Sequence, residues 1–112
     1  MKIVDAYSGI EDGKYFICGR VLVYHGLRWG SVCHDESFND KDALVLCRMG
    51  FFTTDGKICE NTTSTTTVSW LTHLNCYGSE TDVSSCPGDM WSLKQCKYPD
   101  ATIKCFIDTG NL

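Results

Sequence analysis

The 112-residue chain has no two cysteines in CxxC spacing, no run of basic residues and no apolar stretch of about 18 residues. Each absence excludes something. A zinc-thiolate site wants close cysteine or histidine pairs that form a chelating turn, so the eight cysteines read as disulfide partners instead of metal ligands. With a net charge of −4 and a pI near 5.2, nucleic acid and bulk polyanions find no support in the overall charge. No segment of the sequence reads as a membrane span. The opening MKIVDAYSGIEDGKY lacks the apolar core and cleavage pattern of a secretory signal. No GxSxG, HExxH or phosphate loop occurs, and no serine or cysteine is paired by motif with a base. Oxidised cysteines cannot act as nucleophiles. An enzyme is not expected.

What is present in quantity is cysteine, and the number is even. Four structural disulfides persist only in an oxidising compartment, which points to a secreted or cell-surface protein. A chain of this length makes one domain with a modest core, burying roughly two-thirds of its unfolded surface. Export without a signal suggests a domain cut from a longer protein, with Met1 as an added start.

The most regular stretch is Gly19–Cys33, GRVLVYHGLRWGSVC. Val21 and Val23 alternate with Arg20, Leu22 and Tyr24, His25-Gly26 signals a turn, and Trp29 and Val32 lead the return run to Cys33, which together predict a β-hairpin. Residues 1–15 form either a leading strand or a loose lead-in, ahead of a domain over 16–107 and a tail over 108–112. Asn39 is placed to cap a helix over about 40–49, with Asp42 as its reciprocal partner. Asp40 and Asp42 suit the helix start, Arg48 its last turn, and Gly50 a left-handed stop. Ala43, Leu46, Cys47 and Gly50 form one face at helical spacing, expected to pack on the sheet. Phe51–Thr67 is a long connection with seven threonines. Val68, Trp70 and Leu74 suggest a strand running to Cys76. Ser79 and Asp82 suggest a capped helical turn over about 80–85, Pro87-Gly88 a break, and Thr102–Ile107 a closing strand.

The ordered segments GRVLVYHGLRWGSVC, SFNDKDALVLCRMGF, VSWLTHLNCYGSETDVSSC, a Trp-containing loop to Cys96, and ATIKC resemble the scavenger receptor cysteine-rich domain, eight-cysteine subgroup, from about Cys18 to Cys105. The resemblance implies an α+β, disulfide-rich fold in which a curved antiparallel β-sheet cradles one main helix. It also implies the pairs Cys33–Cys96, Cys47–Cys105 and Cys76–Cys86, leaving Cys18–Cys59 as the fourth. Cys59 departs from the subgroup's pattern, lying twelve residues after Cys47 and not close to the helix end.

Several members of this family bind calcium or magnesium through acids just after the second cysteine and a glutamate between the fifth and sixth. The matching positions are Asp35, Glu36 and Glu80, with Asn39 where a further acid often stands. Carboxylates from separate loops suit a hard cation. His34 replaces the first acid or is inserted before the pair. The same acids also read as solvated loop charges. Arg28, Lys94 and Lys97, with Lys104 near in sequence, form either a local patch for acidic ligands or ordinary scatter. Trp91 is the candidate aromatic contact if exposed. His25 is expected in the hairpin turn and His73 partly packed on a strand. Asn61-Thr62-Thr63 is a glycosylation sequon.

The resemblance thus implies an extracellular, non-catalytic recognition module for protein, glycan or microbial polyanion ligands, assisted by calcium or magnesium. The alternatives are an accessory domain among other domains of a larger secreted enzyme or receptor, and a self-standing disulfide-rich effector.

Overall fold

The computed structural model describes residues 1–59, 68–88 and 91–107. The strands are β1 (Lys2–Glu11), β2 (Lys14–His25), β3 (Arg28–Val32), β4 (Gly56–Ile58), β5 (Ser69–Leu71) and β6 (Thr102–Ile107). The helix α1 (Asp40–Phe51) lies between β3 and β4, and a 3-10 turn spans Val83–Ser85. The sheet order is β4-β6-β2-β3-β5, with β1 paired to β2 outside that path. The asparagine of the Asn61 sequon and the tail 108–112 lie outside the described residues.

β2 is the strand on which the sheet is assembled, because it pairs with β1, β3 and β6. Its alternation divides the apolar residues between two faces. Val21 and Val23 join Val32, Leu46, Leu71 and Ile103 in the core beneath α1, while Phe16 and Cys18 join Cys59 and Phe106 in a smaller cluster. The predicted hairpin turns through Gly26 and Leu27, both at positive φ (56° and 63°), the geometry whose twist matches that of paired strands. The segment before it is a strand from Lys2, broken by an irregularity between Val4 and Tyr7.

The antiparallel pattern expected for the sheet holds at each pairing except β3 with β5, which is parallel. β5 stops at Leu71, shorter than a strand continuing toward Cys76, and His73 follows it as an exposed residue at φ 54° instead of a packed strand residue. β4 arises inside the stretch read as an unstructured connection, because Gly56–Ile58 pairs with the edge of β6.

The helix begins as its sequence predicts. Asn39 Oδ1 accepts the Lys41 N–H at 2.9 Å, and Asp42 Oδ2 accepts the Asn39 N–H at 2.8 Å. Its end differs. Gly50 is helical, and the left-handed residue is Phe52 at φ 55°, whose N–H bonds to Arg48 O at 2.9 Å. Gly50 instead gives room to Met1, whose side chain would collide with a Cβ there. The second turn also differs. Its cap is Asp82, not Ser79, because the Asp82 carboxylate accepts the Ser84 N–H at 2.8 Å.

Four disulfides tie these parts together: Cys18–Cys59 joins β2 to the chain after β4, Cys33–Cys96 joins the end of β3 to the last loop, Cys47–Cys105 joins α1 to β6, and Cys76–Cys86 closes a short loop. Arg20 of β2 reaches the wholly buried Asp100 at 2.9 Å and Asp5 at 3.1 Å, fixing the approach to β6.

Asp42 does more than cap its own helix. It is fully buried, and Oδ1 accepts the Cys76 N–H at 2.6 Å, anchoring the loop after β5 to the start of α1. Asp42→Ala removes half of the capping box and strands the Cys76 N–H in the interior. It should cost about 2–4 kcal/mol of unfolding free energy by denaturant titration, with the disulfides intact.

Candidate functional site

The acids singled out by sequence lie around the N-terminal end of α1 and the loop between β5 and the 3-10 turn. Asp35 is buried, and its carboxylate accepts the Ser37 N–H at 3.1 Å and the His73 N–H at 2.7 Å. Glu80 accepts the Tyr77 N–H on Oε2 and the Gly78 N–H on Oε1, both at 2.9 Å. Glu36 is exposed, and Tyr98 Oη donates to it at 3.4 Å. Asn39 has its amide oxygen engaged as the helix cap.

Electrostatics link these groups through Asp42. Burial pushes its carboxyl up; the Cys76 and Asn39 N–H groups act against this, and the negative charges of Asp35 and Glu80 add to the rise. Both acids therefore lie within electrostatic reach of a third, interior carboxylate. The N–H groups of its own loop, Tyr77 first, hold Glu80 below the usual carboxylate range.

The donor chemistry suits calcium or magnesium, but the convergence is incomplete. Among the described residues, the group of three metal-ligating atoms within 4.8 Å is Cys76, Glu80 and Cys86, and those two sulfurs form a disulfide. Asp35, Glu36 and Glu80 do not form such a group. A hard cation would need Glu36 to turn inward and water to complete its shell.

The basic candidates are strung along one side of the sheet. Arg28 begins β3, Lys94 exchanges backbone hydrogen bonds with Ser69 of β5, and Lys97 follows Cys96, which is bonded to Cys33 just past β3. All three residues are exposed. Lys104 lies apart from them, paired to Glu11 at 3.0 Å on the face that holds Phe16. Trp91 is half-buried against the core and stacked on His25 at 4.3 Å, so it is less open than a free contact residue.

Sequence reading missed Arg48 at this corner. Placed as a dipole-matching residue, it also donates to Gly78 O at 3.0 Å and to Glu80 O at 2.5 Å, fixing the loop's far end against α1. Basic character at the helix end was the available signal; the loop carbonyls it would meet were not.

Because the folded-state pKa of Glu80 lies below its usual 4.5, its contribution to stability is full above that value and lost as pH falls through the lower one. Thermal melting should show wild type above Glu80→Ala at neutral pH, with the gap closing in acid. A gap independent of pH would contradict the carboxylate role.

The comparisons agree with this architecture. Residues 11–106 match the family described as the scavenger receptor cysteine-rich domain. The macrophage receptor MARCO of Mus musculus is 31% identical over 88 residues, covering 78% of this chain and 17% of that protein. The chain thus spans about a sixth of that relative's length. The crystal structure of the dimeric form of the SRCR domain of mouse MARCO superposes with a TM-score of 0.67 at 30% identity, covering 80% of this chain and 87% of that one. On the match over 11–106, the eight cysteines and the shared fold, the chain belongs to the scavenger receptor cysteine-rich family.

Proposed function

We propose that this domain is a non-catalytic, extracellular recognition module for protein, glycan or microbial-surface polyanion ligands, with a calcium or magnesium ion at the corner of Asp35, Glu36 and Glu80. Domains of this family are generally ligand-binding extracellular modules. The observation that supports the finer reading is that Asp35 and Glu80 are each fixed by backbone N–H groups and both bear electrostatically on the buried Asp42. Their orientation is set before any ligand arrives, and a divalent cation offsets the negative charge that both bring to bear on Asp42. Arg28, Lys94 and Lys97 supply the contacts for an anionic ligand along the β3–β5 side, where local positive charge acts despite the net charge of −4.

A second reading is favoured by one fact, the chain's 17% coverage of its receptor relative. In a longer protein the domain would recognise its ligand as one of several modules, and linkage would raise a weak single-site affinity.

Calorimetric titration tests the ion directly. Calcium should bind with a dissociation constant on the order of 10⁻⁴–10⁻³ M, and Glu80→Gln should weaken it about tenfold. No heat and no chemical-shift change at about 10 mM calcium would refute the ion site. The anion contacts are tested separately with a sulfated polysaccharide: replacing Arg28, Lys94 and Lys97 together by alanine should abolish binding, and unchanged binding would refute that surface.

A further inference from the structure

Two large apolar side chains are left almost wholly in solvent, Leu27 at 90% and Phe52 at 92% exposure. Both also occupy left-handed backbone, at φ 63° and 55°. Glycine enters that region at lower cost and would remove apolar surface from water. At these two positions the fold alone therefore favours glycine, and it does not account for the leucine or the phenylalanine.

Phe52 lines a groove of about 670 Å³ between the C-terminal end of α1 and the end of β2. Tyr24 and His25 line it from the hairpin, Met49 from α1, Ser84 from the 3-10 turn and Asp82 from that turn's cap. Trp91 also lines it, stacked on His25 at an interplanar angle of 14°, and Trp70 meets His25 edge-on at 5.3 Å. Leu27 stands at the tip of the same hairpin, two residues beyond His25.

The charge of this groove is unlike that of the basic strip. Asp82 supplies a carboxylate that is exposed, and Ser84 donates to its Oδ1 through both N–H (2.8 Å) and Oγ–H (2.6 Å), which keeps it ionised. The last carbonyls of α1 add the negative end of the helix dipole. Arg48, the basic residue of that last turn, is drawn away to Gly78 O and Glu80 O. Among the described residues that line the groove, none is a lysine or an arginine. Aromatic rings beside a carboxylate and a helix C-terminus form an environment that attracts a positive side chain.

We propose that this groove receives an arginine or lysine side chain of a partner polypeptide, whose neighbouring apolar residues rest on Phe52 and Leu27. The inference rests on the recognition-module reading and assigns that module a protein-binding site independent of divalent cations.

The test is an NMR titration of the isotope-labelled protein, in EDTA, with the end-blocked tripeptides Leu-Arg-Leu and Leu-Gln-Leu. The arginine peptide should shift the Trp91 indole and the amides of Tyr24, His25, Phe52 and Asp82, and bind about fivefold more tightly than the glutamine peptide. Asp82→Asn retains a good helix cap and should erase that preference. Phe52→Gly should melt higher than wild type yet bind both peptides more weakly. The proposal is overturned by equal binding of the two peptides, by absence of binding, by an unchanged preference in Asp82→Asn, by shifts centred on Asp35 and Glu80, or by a lower melting point for Phe52→Gly. Loss of this site with polysaccharide binding retained would remove the groove and leave the module reading standing.

Discussion

The buried carboxylate of Asp42 is the contact on which this corner of the molecule depends. One oxygen closes the capping box on Asn39; the other holds the Cys76 N–H. Through these two bonds the start of α1 and the loop after β5 become one rigid body. Desolvating an acid is costly, and burial pushes Asp42 toward its neutral form. The two N–H groups offset part of that cost and make the position intolerant of substitution. Asp35 and Glu80 repeat the device nearer the surface, each carboxylate satisfying N–H groups of a loop with little regular secondary structure. A loop that cannot rely on a strand ladder is thus given a substitute for one.

The disulfides solve the complementary problem. A domain of this size has a small core, and the segment between β5 and β6 adds Leu74, Val83 and Ala101 to it with little regular secondary structure to hold them. Cys76–Cys86 closes a loop within that segment and Cys33–Cys96 ties its later part to the end of β3, each restricting the unfolded chain by about 2–4 kcal/mol. Cys47–Cys105 crosses the layer between helix and sheet. The resulting frame carries acids at one end of α1, an aromatic groove at the other, and basic residues along the β3–β5 side.

Much of the fold was legible where the signal is local. The alternation of Val21 and Val23, the Asn39–Asp42 box and the span of β6 follow from residues within a few positions of one another. The misreadings are those decided by distant partners. Gly50 looked like a helix stop because nothing in the sequence announced Met1 against it; the helix runs on to Phe51 and is capped by left-handed Phe52, a residue that intrinsic preference would not select there. Ser79 looked like a cap until Asp82 proved to hold Ser84. The short β4 and the parallel pairing of β5 exist only because β6 and β3 lie beside them. The disulfide pairing followed from family resemblance, since eight cysteines alone allow too many arrangements. At the site, Asp35, Glu36 and Glu80 were visible as acids, but the backbone donors that Asp35 finds at His73, and that Asp42 finds at Cys76, depend on the folded path of the chain.

The central claim is that carboxylates, in place of secondary structure, immobilise the loop that carries the acidic corner. Amide hydrogen exchange read by NMR at neutral pH tests it directly. The account predicts that the N–H groups of His73, Cys76, Tyr77 and Gly78 exchange far more slowly than the exposed turn amides at Gly13 and Gly26, with Cys76 slowest. Exchange of these four at the rate of the turn amides would contradict it.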